Sequence, residues 1–179
     1  MANFLSQSYD KLQSWRTSGT AYMVPRGLSA SDLRYLQSIA AAFYSAAVIY
    51  FYSMTSSLTP EFIGYPLHPI WDTGTRLKHE AVTQCFDALR QVPDGIPCES
   101  ALVLPLFIMG CEAEFPAQQA YAIQRLQKLE TSVGLGNINR ARIIVEQVKA
   151  NVSYKKSLKT AGPKWSSATD SLGWDLIIT

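Results

Sequence analysis

Cys111 and Glu112 stand side by side at the end of the apolar run "ALVLPLFIMG", and a thiol beside a carboxylate is a pair with the elements of nucleophilic chemistry. Thiol catalysis needs a base that makes the thiolate, and neighbours on a helix point about 100° apart. The pair therefore reads as structural. Gly110 permits close helix packing, Cys111 is a small buried hydrophobe, and Glu112 satisfies nearby backbone donors or an arginine. His68 and His79 are the chain's two histidines. With Asp72, Glu80 and Cys85 they supply metal-ligating types, but no spacing among them closes a four-ligand site. Neither a metal nor a cofactor is expected. A different chemistry suits them: His68, Asp72 and His79, the catalytic candidates, could place hydrogen-bonding groups at the mouth of an apolar cavity. Capping and solvated surface roles explain the same residues.

The elements that must position these residues are helices. Apolar residues recur at three- and four-residue steps, and no stretch alternates as a strand bounded by hairpin turns, so the fold class expected is all-α. A first helix carries Phe4, Leu5, Tyr9, Leu12 and Trp15 and stops near Gly19. The next starts at Ser29 or Ser31 and runs through Leu33, Leu36, Ala40, Phe43, Ala47, Tyr50 and Met54 as a central core helix. Pro60, Gly64, Pro66 and Pro69 break a long loop over 56–71, which its aromatic residues should pack down. Helices are then expected over 73–90, from about 99 to the Gly110 region, over 117–132 and over 137–151. Pro105 belongs in a first turn or at a kink. Residues 152–164 read as a basic linker, and the apolar end of the chain, with Trp174, Leu176, Ile177 and Ile178, should dock on the body. One domain over 1–179 is expected, a multi-helix bundle around a central apolar helix.

Composition narrows the functions. A hydrophobic fraction of 47% against 17% charged residues belongs to a folded globular chain, and a formal charge of +2 supplies no concentrated basic face. Direct nucleic-acid binding is not expected. The 39–58 stretch lacks charges and nearly reaches spanning length, but its Ser, Thr and Tyr content and the nearby Asp32 and Arg34 favour a buried helix over a membrane span. Three cysteines with no CxxC spacing, and an N-terminus without a signal-peptide pattern, point to an intracellular setting, nucleus or cytoplasm.

The runs "ALVLPLFIMGCEAE" and "LQKLETSVGLGNINRARIIVEQV", with the terminal "LGWDLIIT", resemble the C-terminal portion of the fungal-specific transcription factor regulatory domain. That family joins such a helical module to a binuclear zinc cluster held by six cysteines. The resemblance implies a role in small-molecule response, autoinhibition or dimer contacts. Three dispersed cysteines cannot build the zinc cluster, so the DNA-binding half is not expected here.

Two function classes follow. One is a regulatory module that binds a small hydrophobic metabolite or a partner protein, with a homodimer possible. Its pocket would be lined by Phe43, Tyr44, Ala47, Tyr50, Tyr65, His68, Trp71 and Trp174. The other is a natural-product enzyme made from the same module, a cofactor-free cyclase, isomerase or pericyclase. It would work by orienting an apolar substrate and hydrogen-bonding its carbonyl.

Overall fold

The computed structural model of the chain describes residues 29–55, 70–96, 99–134, 136–154 and 163–173, with scattered positions between 7 and 14; for 70–73 and 151–154 it describes the backbone only. Among the described residues there are six α-helices and no strand: α1 (Ala30–Thr55), α2 (Ile70–Arg90), α3 (Val103–Glu112), α4 (Pro116–Val133), α5 (Gly136–Tyr154) and α6 (Lys164–Leu172). A 3-10 turn, Glu99–Leu102, leads into α3. The all-α expectation holds.

Local chemistry sets the helix ends. Ser29 caps α1 in a reciprocal box: its hydroxyl accepts from the Asp32 N–H at 3.1 Å, and its own N–H donates to the Asp32 carboxylate at 3.2 Å. Pro116 occupies the first turn of α4, where a missing N–H costs nothing, and Gly134 at φ 71° closes that helix in the left-handed region. Pro105 is likewise in the first turn of α3, so it breaks no helical bond. Two expected limits move. Helix α5 starts at Gly136, one residue before Asn137. Residues 152–154 of the expected basic linker continue α5 and Lys164 opens α6, while 155–162 lie outside the described residues.

Helix α3 is the centre of the bundle. It touches α1, α2, α4, α5 and α6, and all its residues except Leu104 are buried. Phe107, Leu106 and Met109 are shielded almost completely, and removing a side chain such as Phe107 from such a core costs about 3–5 kcal/mol. At Gly110 α3 meets α4 and α5 closely: a Cβ built there would lie 2.8 Å from Ala122 Cβ and 3.0 Å from Val145 Cγ1.

Helix α1, expected to turn Leu36, Phe43, Tyr50 and Met54 inward, buries a different face. Ser38, Ala42, Ser45, Ala46, Ile49, Tyr52 and Ser53 face the body, whereas Leu36, Tyr50 and Met54 are 40%, 48% and 41% exposed. Helices α1 and α2 make the most extensive pairing among the described elements; Cys85 Sγ of α2 lies 3.5 Å from the Ala42 carbonyl of α1, and a Cβ built at Gly74 would stand 3.4 Å from the Tyr52 ring. The helix is long and apolar enough to cross a membrane by length and composition, and in this structure 44% of its apolar window is buried within the bundle.

Arg125 of α4 clasps the turn between α2 and α3. Its guanidinium donates to the carbonyls of Val92 at 3.0 Å and Pro93 at 2.8 Å and pairs with Asp94 at 2.7 Å and Glu99 at 3.0 Å. Lys128 adds a bond to Asp94 at 2.8 Å. The Lys128 hydrogen bond, with Arg125 charge behind it, holds the Asp94 carboxyl below its usual range. A folded-state pKa depressed in this way contributes stability above the unfolded carboxylate pKa, and that stability is lost as pH falls through the folded value. Asp94 is largely exposed, so Asp94→Asn is expected to cost no more than about 1 kcal/mol at pH 7. Urea titrations of both proteins at pH 7 and pH 3 check this: the difference should shrink on acidification, and a difference independent of pH would show that charge is not its source.

Candidate functional site

The carboxylate that ends the central helix organises one corner of the molecule. Glu112 has a fully buried side chain, and its Oε2 lies 2.6 Å from Lys78 Nζ of α2. Its Oε1 accepts the backbone N–H of Lys164 at 3.0 Å. That donor is one of the orphan amides at the start of α6, so Glu112 caps this helix from across the fold, in the place where a helix dipole favours negative charge. Lys164 answers in kind, its Nζ donating to the Glu112 carbonyl at 3.2 Å, one of the carbonyls left over at the end of α3. A single glutamate thereby joins α2, α3 and α6.

Beside this junction lies a cavity of about 130 Å³. The ring of Tyr52, Gly74 and Val82 give it apolar surface; Lys78, His79, Glu112, Glu114, Gln118 and Lys164 bring polar groups, with Thr75 and Thr83 at the edge. Both carboxylates in the wall face basic side chains, whereas the Lys164 ammonium meets a backbone carbonyl. Lys78 is held by Glu112, and His79 Nε2 lies 3.3 Å from the Glu114 carboxylate, a half-exposed pair at the rim. Gln118 differs. The residue is 5% exposed, and its Oε1 is shielded from solvent and accepts no hydrogen bond from the described residues. The next residue, Gln119, does have a partner: its amide donates to the Ala113 carbonyl at 3.0 Å. A buried amide oxygen left unpaired costs about 1–3 kcal/mol, so it marks a point of strain unless a water or another donor reaches it.

The thiols are poor nucleophiles. Burial pushes Cys111 well up, with the neighbouring Glu112 charge adding to the effect and Lys164 opposing it; burial alone does the same to Cys85, whose Sγ lies 3.5 Å from the Ala42 carbonyl. Both are free and buried. This matches the structural reading of Cys111, as the contacts of Gly110 match close packing. Glu112 meets the expected backbone donor, but its charged partner is a lysine and not an arginine. Among the described residues, no cluster of His, Cys, Asp and Glu could hold a metal ion.

Of the catalytic candidates, His79 is on this cavity's wall. Phe43, Tyr44, Ala47 and Tyr50 are on α1 but not on the cavity's lining; Tyr52, two residues on from Tyr50, takes that place. Tyr50 instead stacks on Trp165 of α6 at 5.7 Å between ring centroids. Trp71 and Asp72 are in the first turn of α2, and their side chains lie outside the described residues, as do Tyr65, His68 and Trp174 entirely. The sequence reading missed Lys78, Gln118 and Lys164. Lys78 sits beside a residue it did single out, yet nothing local shows that its partner is 34 positions on at Glu112.

Comparison with known proteins was informative at the family level. The model of one family, described as the fungal specific transcription factor domain, matches residues 4–179. No curated protein and no solved structure matches the chain.

Proposed function

Because the chain belongs to the fungal specific transcription factor domain family, we propose that it is a regulatory module whose output depends on a small molecule held in the cavity beside Glu112. The observation that carries this reading is that α1, α2, α3, α4 and α6 all contribute to one cavity, and that the glutamate in its wall also caps α6. A molecule that contacts this wall differently in two arrangements of α6 would shift the balance between them by its difference in affinity. This is how a small molecule could set the position of a helix that a partner reads. The family makes the nucleus the expected place of action.

The test is a reporter assay on the full chain fused to a heterologous DNA-binding domain. Val82→Phe fills the cavity from its apolar wall, and Glu80→Gln alters the exposed side of the same helix. Val82→Phe is expected to move reporter output at least several-fold, with Glu80→Gln leaving it unchanged. Equal output from Val82→Phe and the parent, with both folded by circular dichroism, would refute the reading.

A second reading, a cofactor-free isomerase or cyclase, has one observation in its favour. His79 and Glu114 form a histidine–carboxylate pair at the rim of the cavity, an arrangement that can orient an imidazole for proton transfer. Turnover of an added apolar precursor, lost in His79→Phe, would support it.

A further inference from the structure

We propose that the outer face of α1 is a self-association surface, on which a second copy of this chain lays its own α1 in the antiparallel direction. The proposal is independent of the cavity and uses a stripe of α1 that packing against α2 and α3 leaves outward.

Three observations support it. The first is the stripe itself. Leu36, Phe43 and Tyr50 recur every seven residues, and Ala40, Ala47 and Met54 do the same between them, the repeat that lets one helix pack along another. None of the six is buried: Leu36, Tyr50 and Met54 are exposed and Ala40, Phe43 and Ala47 half-buried, whereas Ser38, Ala42, Ser45, Ile49 and Tyr52 turn to the body. A helix apolar on every side belongs in an interior, and the body covers α1 on one side. The second observation is size. With a second copy related by a twofold axis midway between Phe43 and Ala47, each residue meets the one equally far beyond the axis. Phe43 then meets Ala47 of the second copy, Ala40 meets Tyr50, and Leu36 meets the flexible Met54. Each aromatic ring faces an alanine, so large side chains enter the spaces that small ones leave. A parallel pairing would set Phe43 on Phe43 and Tyr50 on Tyr50 and leave voids at the Ala40 and Ala47 layers. The third is charge. From Tyr35 to Thr55 the helix carries no charged side chain, so identical copies meet without like-charge repulsion. The stripe is about 27 Å long and about 10 Å wide, less than the roughly 800 Å² per partner of a standard specific interface, which makes the dimer a weak and reversible one.

Sedimentation velocity of the full chain over a dilution series tests this. The parent is expected to pass reversibly from monomer to dimer with a dissociation constant in the micromolar range. Ala47→Lys and Phe43→Glu each put a charge into a central layer, and each should weaken the dimer at least tenfold while keeping the circular dichroism of the parent. An equimolar mixture of the two variants should associate at least tenfold more tightly than either alone. In the mixed dimer the introduced ammonium of one chain faces the introduced carboxylate of the other, and the second central layer keeps its Phe43 and Ala47. Ala40→Lys mixed with Tyr50→Glu repeats the test one layer out if the Phe43 variant does not fold. A parent that stays monomeric up to about 1 mM would overturn the proposal and leave the stripe to another occupant. A dimer that Ala47→Lys leaves intact would place the contact on another face, and two weakened variants whose mixture does not recover would contradict the antiparallel pairing; either result would equally overturn it.

Discussion

Glu112→Ala should destabilise the fold by about 3 kcal/mol, the low end of what breaking one side of a buried ion pair costs. Two losses add. The side chain is completely buried and holds Lys78 at 2.6 Å, so its removal leaves an ammonium without its carboxylate; Lys78, with 24% of its side chain exposed, can turn partly to water, which keeps the cost from the upper end. The second loss is the cap on α6, where the Lys164 N–H now donates to Oε1 at 3.0 Å, a contact of the kind that contributes about 1 kcal/mol. Glu112→Gln keeps an acceptor for that amide but not the charge, and should fall between parent and alanine variant. Urea denaturation with the slope held in common is the check, and a domain of this size should lose on the order of 10 °C in melting temperature for the alanine change. A loss below about 1 kcal/mol would mean that Lys78 and the start of α6 are as well served by solvent, and that the junction described above is not a structural one.

Gly110→Ala should cost about 2 kcal/mol, although alanine is the better helix former. Propensity alone favours the change by about 1 kcal/mol in a helix interior. Against it stands the added methyl, which would meet Ala122 Cβ at 2.8 Å and Val145 Cγ1 at 3.0 Å. Val145 can turn its isopropyl group, but the Ala122 Cβ is fixed to the backbone of α4, so the helices must move apart. Overpacking of this kind costs about 1–3 kcal/mol and more where the obstacle is rigid. The explanation makes a sharper demand: Ala122→Gly in the same chain removes the obstacle and should recover most of the loss, a coupling of more than 1 kcal/mol in a double-mutant cycle. Additive effects of the two changes would contradict the close approach.

How much of this was legible in the sequence depends on the range of the interactions. The near-continuous apolar run of α3 could only be a buried helix, and Gly110 and Glu112 at its end were readable as a packing residue and a carboxylate seeking donors. The start of α1 was a local signal as well, narrowed to Ser29 or Ser31, and Ser29 is the residue that caps it. The face of α1 was not. Apolar residues surround that helix, so Leu36, Phe43, Tyr50 and Met54 form one stripe as well as Ala42, Ala46 and Ile49 form another. The choice between them is made by packing against α2, the helix that α1 pairs with most extensively, and not by its own periodicity. The cavity was less legible still. Glu112 and the Lys164 amide are 52 positions apart, Lys78 comes from a third helix, and a glutamine one turn into α4 carries no sign that its oxygen lacks a donor. Tyr44 and Tyr50 of α1 were expected on a pocket wall, and it is Tyr52 that lines this one; residue type alone could not tell the three apart.

The central claim is that a small molecule occupies the cavity beside Glu112, and mass spectrometry of the chain purified from a fungal host tests it most directly. The native spectrum should show a mass in excess of the polypeptide, released on denaturation and missing from Val82→Phe prepared in the same way. Parent protein that carries no such mass, or carries one that Val82→Phe retains, would contradict it; a mass of two chains with nothing released would point instead to association as the basis of its regulation.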